Sequence, residues 1–99
     1  MKRVMVRYRV KPDSVAENRR FVEAVYAEMS ATRPDGIRYA SGRLPDGVTY
    51  VAMLALDEGV DNPLPTLPEF QEFQQNLAKW TAEPPIGEPL TVVGSYRLF

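Results

Sequence analysis

Histidine and cysteine are both absent from the 99 residues of this chain, and each absence removes a class of chemistry. Without cysteine there is no disulfide framework and no thiolate to act as nucleophile or ligand. Without histidine the commonest general base and metal ligand is missing, so Ser-His-Asp and Cys-His sites are excluded and a zinc or transition-metal centre is disfavoured. No metal and no cofactor is expected. An excess of basic charge is lacking as well: 12 Lys and Arg against 13 Asp and Glu leave a formal net charge of -1, which gives no electrostatic grip on a phosphate backbone. Nucleic acid is therefore not an expected partner, although a local cluster of arginines can still hold one small anion. Nor is there a long hydrophobic run. No stretch approaches the ~20 apolar residues of a membrane span, and the N-terminus enters a strand pattern without a signal-peptide core, so no membrane partner and a cytoplasmic location are expected.

Apolar residues make up 44% of the chain, enough for one core, and a single domain over residues 1–99 is expected. The strongest pattern is the first strand, Arg3-Val4-Met5-Val6-Arg7-Tyr8-Arg9-Val10. Its alternation puts Val4, Val6, Tyr8 and Val10 on one face and Arg3, Met5, Arg7 and Arg9 on the other. Lys11-Pro12-Asp13 ends it, and Ser14-Val15-Ala16-Glu17 reads as a capping box. From there Val15, Phe21, Val22, Val25, Tyr26 and Met29 recur at helical spacing, predicting an amphipathic helix to about Arg33 that Pro34 stops. Asn18 is expected at that helix's polar boundary, exposed.

Two similar turns follow, Pro34-Asp35-Gly36-Ile37-Arg38-Tyr39 and Pro45-Asp46-Gly47-Val48-Thr49-Tyr50. The first leaves the helix, and the second closes a hairpin between strands 37–44 and 48–56. A two-residue Asp46-Gly47 turn and a three-residue Pro45-Asp46-Gly47 turn are both compatible with the pattern. They differ in whether Tyr50 or Val51 shares a face with Tyr39. Gly59 and the prolines at 63, 65 and 68 make the next stretch a stiff loop. Thr66-Leu67-Pro68-Glu69 then offers a second capping box before a helix to Thr81 or Ala82, with Phe70, Phe73, Leu77 and Trp80 as its core stripe. Pro84-Pro85 breaks this helix, and Leu90 to Phe99 is read as the last strand.

The order β-α-β-β-α-β predicts an α+β, ferredoxin-like fold: a four-stranded antiparallel sheet with both helices on one face and the first strand central. Val4, Val6, Tyr8 and Val10, with Leu90, Val92, Tyr96 and Leu98, are expected under the helices. The opposite face then carries Arg3, Met5, Arg7 and Arg9 with Thr91, Val93, Ser95, Arg97 and Phe99. That mixture is too apolar for water alone and too polar for a dry core, so a second copy of the chain is the expected cover.

The opening strand ending Val10-Lys11-Pro12-Asp13, the stretch Arg33-Pro34-Asp35-Gly36-Ile37-Arg38-Tyr39 entering the second strand, Phe70 and Phe73 in the second helix, and the late Pro84-Pro85 together resemble the dimeric α/β-barrel proteins, in particular the antibiotic-biosynthesis-monooxygenase type. The resemblance spans nearly the whole chain. It implies a homodimeric barrel with a pocket between sheet and helices, and a small cofactor-independent monooxygenase-like protein acting on an aromatic or quinol-type molecule. The alternative it leaves is a non-catalytic small-molecule binder. The chain departs from the pattern where the family often has a tryptophan late in strand three and a histidine before helix two: here Ala52-Met53-Leu54-Ala55-Leu56-Asp57 and Asn62-Pro63-Leu64-Pro65 stand instead. Haem degradation, which uses a histidine on iron, is disfavoured accordingly. An RNA-recognition module with the same element order is disfavoured too, because Val48-Thr49-Tyr50-Val51-Ala52-Met53 lacks the basic aromatic motif.

Binding a phenol-like or anionic ligand needs cationic or hydrogen-bonding groups, and Arg7, Arg9, Tyr39 and Arg97 are the candidate ligand contacts. The arginines can stabilise a phenolate but cannot serve as a base. No catalytic base is assigned.

Overall fold

The computed structural model, described for residues 1–98, contains β1 (Lys2–Arg9), α1 (Val15–Thr32), β2 (Ile37–Arg43), β3 (Thr49–Leu56), α2 (Pro68–Trp80) and β4 (Ile86–Pro89). The strands form one antiparallel sheet in the order β2-β3-β1-β4, so the arginine-bearing first strand is central, as the ferredoxin-like reading requires. Single 3-10 turns at Pro12–Ser14 and Leu64–Thr66 precede the two helices.

Cross-strand register fixes what each face carries. Tyr8 lies opposite Tyr50, Val6 opposite Ala52 and Val4 opposite Leu54, while Tyr39 also lies opposite Leu54. Paired residues of antiparallel strands share a face, so Tyr39 and Tyr50 point to the same side as Val4, Val6 and Tyr8. That side meets the helices: Tyr8, Val10, Val25, Tyr50, Phe73, Leu77 and Trp80 form the buried cluster. Trp80 is 2% exposed and packs edge-on to Phe21 at 5.0 Å between centroids.

The hairpin uses neither of the two short turns. Leu44 N–H donates to Thr49 C=O at 2.8 Å and Gly47 N–H to Leu44 C=O at 3.0 Å, leaving a loop of Pro45 to Val48. Asp46 decides this geometry, because its carboxylate accepts from the Val48 and Thr49 N–H groups at 3.0 and 2.8 Å and from the Thr49 hydroxyl. Those bonds hold the Asp46 carboxyl below its ordinary value, Thr49 contributing most.

The helix ends also differ from the capping boxes. A 3-10 turn leads directly into α1, and the Ser14 hydroxyl turns to Asp13 at 3.5 Å and caps nothing. The Thr66 hydroxyl donates to Pro63 C=O at 2.6 Å instead of capping α2. The start of α2 is capped across the tertiary structure: Glu28 of α1 accepts from the Glu69 N–H at 3.1 Å, and its carboxylate complements the helix dipole. At the other end of α1, Arg33 adopts φ 49°, ψ 58° and its N–H donates to Met29 C=O at 2.8 Å, the left-handed cap that Pro34 then follows.

The last strand is displaced from its expected position. Pairing to β1 runs through Ile86–Pro89, not through the more strand-like residues from Leu90 onward. β4 is an edge strand, so only one of its sides needs N–H donors, and prolines are tolerated there. After one more ladder bond, Leu90 N–H to Arg3 C=O at 2.9 Å, the chain leaves the sheet. Val93, Tyr96 and Leu98, expected in the sheet, are 100%, 81% and 61% exposed. Thr91, Ser95 and Arg97 are exposed beside them, and Phe99 lies outside the described residues.

Candidate functional site

Between the sheet and both helices lies a cavity of about 750 Å3, within the size range of sites that enclose a small organic molecule. β1 supplies Val4, Val6 and Tyr8, β3 supplies Ala52 and Leu54, and the helices add Val22, Val25, Phe73 and Leu77. The strand alternation that made these residues a core face also makes the cavity apolar. Asn62, before α2, and Glu83-Pro84-Pro85, after it, also line the cavity.

The polar side chains of this lining include two sets of hydrogen-bonded hydroxyls, beside Asn62, Gln74 and Thr81. Tyr26 of α1 and Tyr39 of β2 stack with centroids 5.3 Å apart and planes 12° from parallel. The Tyr26 hydroxyl and the Ser41 hydroxyl are hydrogen-bonded at 2.7 Å, and Ser41 also bears on the Tyr39 hydroxyl. Tyr8 stacks on Tyr50 at 5.4 Å, and its hydroxyl donates to Asn18 Oδ1 at 3.4 Å. Burial pushes the Tyr8 phenol up to about 12, partly offset by the Asn18 bond. Burial likewise raises Tyr26 and Tyr39, with Ser41 as the opposing influence on both. Three phenols are thus held neutral: Tyr8 already donates to Asn18, while the solvent-exposed Tyr26–Ser41 pair, with Tyr39, is left to donate to a bound oxygen. Lys2 and Glu83 are the charged residues of the lining, and both are exposed. Among the described residues no group of three or more carboxylates converges where a metal could sit.

The four residues nominated from sequence do not come together. Tyr39 lines the cavity. Arg7 and Arg9 are exposed on the opposite sheet face, paired with Val51 and Thr49. Arg97 lies in the C-terminal segment at φ 63°, its guanidinium 5.0 Å above the Tyr96 ring. Asn18, expected to be exposed, is 0% exposed. The signal was available: Asn18 stands at the i+3 and i+4 steps of the stripe Val15, Val22, Val25 and Met29, which is the buried side of α1. Tyr26 read as core, and Ser41 was legible only as the residue two beyond Tyr39 on one strand face.

The open sheet face combines Arg3, Arg7, Arg9 and Arg38 with half-buried Met5, Val51 and Met53 and with Ile86 and Glu88 of β4. None of the described helices is long and apolar enough to cross a membrane.

Comparison with protein-family models and with curated protein sequences returns no match. Solved structures do match. A Nitrosomonas europaea protein provisionally named an antibiotic biosynthesis monooxygenase superposes with TM-score 0.79 at 18% identity, covering 95% of this chain and 100% of that one. The Rv0793 protein of Mycobacterium tuberculosis gives 0.75 at 17% identity over 95% and 96% of the two chains. A Caulobacter crescentus protein with the same provisional name gives 0.70 at 22% identity over 94% and 90%. The fold is therefore the ferredoxin-like α+β fold of antibiotic-biosynthesis-monooxygenase-type structures.

Proposed function

We propose that this chain binds a small aromatic or quinol-type molecule in the sheet–helix cavity, as a cofactor-independent monooxygenase-like protein. The observation that carries the reading is the group of neutral tyrosine hydroxyls, Tyr8, Tyr26 and Tyr39, gathered at an apolar cavity of about 750 Å3. The fold shared with structures provisionally named antibiotic biosynthesis monooxygenases supports it. In such a reaction an anthrone-type substrate loses both methylene hydrogens and gains one oxygen atom as a ketone, while the second atom of dioxygen leaves as water. The protein's part is to exclude water, stack on the rings and donate hydrogen bonds to the substrate oxygen as negative charge develops on it.

A second reading, binding without turnover, is favoured by one feature. The phenols lining the cavity stay protonated and its charged residues are exposed, so no group inside stands ready to take the substrate's proton. Oxygen uptake with anthrone and hydroquinone, measured beside calorimetric binding of the same compounds, separates the two. Turnover that falls at least tenfold in Tyr39→Phe supports the enzyme, binding without oxygen uptake supports the binder, and neither binding nor uptake overturns both.

A second copy of the chain is the proposed cover for the arginine-bearing sheet face, whose half-buried Met5, Val51 and Met53 suit a partly apolar contact. A one-chain mass by sedimentation at micromolar concentration would refute this.

A further inference from the structure

The cavity's hydroxyls differ in where their protons go. A phenol has one proton to give and a carbonyl oxygen has none. The Tyr8 hydroxyl gives its proton to Asn18 Oδ1 at 3.4 Å, away from the cavity and toward α1. What Tyr8 presents to the cavity is lone pairs. On the other side, Tyr26, Ser41 and Tyr39 bring three hydroxyl protons, of which the Tyr26–Ser41 bond at 2.7 Å takes one and the Ser41–Tyr39 bond another, so one is spare. One side accepts and the other donates.

Asn18 itself is an odd occupant of its position. It is 0% exposed on the buried stripe of α1, and its Nδ2 group has no hydrogen-bond partner among the described residues. The Tyr50 hydroxyl, on the ring stacked against Tyr8, is also buried with no hydrogen-bond partner among the described residues. A buried amide with an unmade donor bond is a liability to stability, and leucine would fill the site without it. The one bond the amide does make is the bond that turns the Tyr8 proton.

We propose, resting on the cavity reading above, that Asn18 is a positioning residue that fixes the hydrogen-bonding polarity of the site, so that the cavity selects ligands offering an O–H or N–H donor to Tyr8 and an acceptor to the Tyr26–Ser41–Tyr39 group. A hydroxylated aromatic fits and its methyl ether does not, because the ether keeps the acceptor and loses the donor.

The test is the ratio of affinities for 2-naphthol and 2-methoxynaphthalene, measured by calorimetry on the intact chain. Wild type is expected to prefer the naphthol by roughly tenfold, the effect of one neutral hydrogen bond. In Asn18→Leu the Tyr8 proton is free to meet the ether oxygen, and the ratio should fall to about twofold or less or invert. Tyr8→Phe keeps the ring, removes the acceptor and should flatten the ratio in the same way, so it carries the test if Asn18→Leu does not fold. A wild-type ratio near one overturns the proposal. So does a wild-type-like ratio in either folded variant, or an equal loss of affinity for both probes, which is what a merely structural Asn18 would produce. Failure of both probes to bind wild type removes the cavity reading itself, and the polarity proposal with it, while binding of the naphthol alone is the expected preference at its limit.

Discussion

Alkaline pH should unfold this protein earlier than its composition suggests, and Tyr8 gives the size of the effect. Its phenol is pushed up to about 12 by burial, against an ordinary value of 10.0. A raised value means the folded state holds the proton more tightly than the unfolded state. The stabilisation is therefore fully present below pH 10 and is lost as the pH rises through 12. At pH 11 the unfolded chain has released most of that proton and the folded one has kept it, a difference of about 1.4 kcal/mol, approaching ~2.7 kcal/mol above pH 12. Tyr26 and Tyr39 are raised by burial as well, so their contributions share the sign. Urea unfolding at intervals from pH 8 to pH 11 measures the slope. Tyr8→Phe should start about 1 kcal/mol less stable through the lost Asn18 bond, yet lose about 1.4 kcal/mol less than wild type between pH 9 and pH 11. Near-ultraviolet phenolate absorbance of the folded protein should lag behind that of the urea-unfolded chain. The reasoning fails if wild type and Tyr8→Phe show the same slope, or if all five tyrosines ionise together near pH 10 in the folded protein.

Gly36 takes φ 76°, and a Cβ there would sit 2.7 Å from Val60 Cγ2. Gly36→Ala should therefore cost about 1–3 kcal/mol in denaturant unfolding, and Gly36→Ala with Val60→Ala should recover only the steric part, leaving the ~1 kcal/mol left-handed backbone cost. Trp80→Ala removes a side chain that is 2% exposed and packed on Phe21 and Phe73, and a loss of about 3–5 kcal/mol by calorimetry is expected. A loss under ~1 kcal/mol would mean that α2 is not docked as described.

Local pattern and tertiary context divided the reading of this chain between them. Strand β1 was legible because alternating Val4, Val6, Tyr8 against Arg3, Met5, Arg7 admits one burial geometry, and the core stripe of α2 because Phe70, Phe73, Leu77 and Trp80 admit one helical face. β4 was not legible, because an edge strand can contain prolines while the more strand-like segment leaves the sheet after Leu90. The caps show the same limit. Ser14 and Thr66 stood at cap positions by spacing, but a 3-10 turn placed one beside Asp13 and the other on Pro63, and α2 took its cap from Glu28, 41 residues away in sequence.

By itself the sequence determined the absence of histidine and cysteine side chains, the β-α-β-β-α-β order and the two faces of β1, because composition and periodicity are local properties of the chain. Only the tertiary structure decided the site. Pairing of β2 and β3 brought Tyr39 and Tyr50 to one face, and the sheet itself separates Arg7 and Arg9 from Tyr39. Packing of α1 over that sheet joined Tyr26 to Ser41 and Tyr8 to Asn18. Such contacts join residues on separate elements, and their geometry depends on register and helix placement that no run of neighbouring residues specifies.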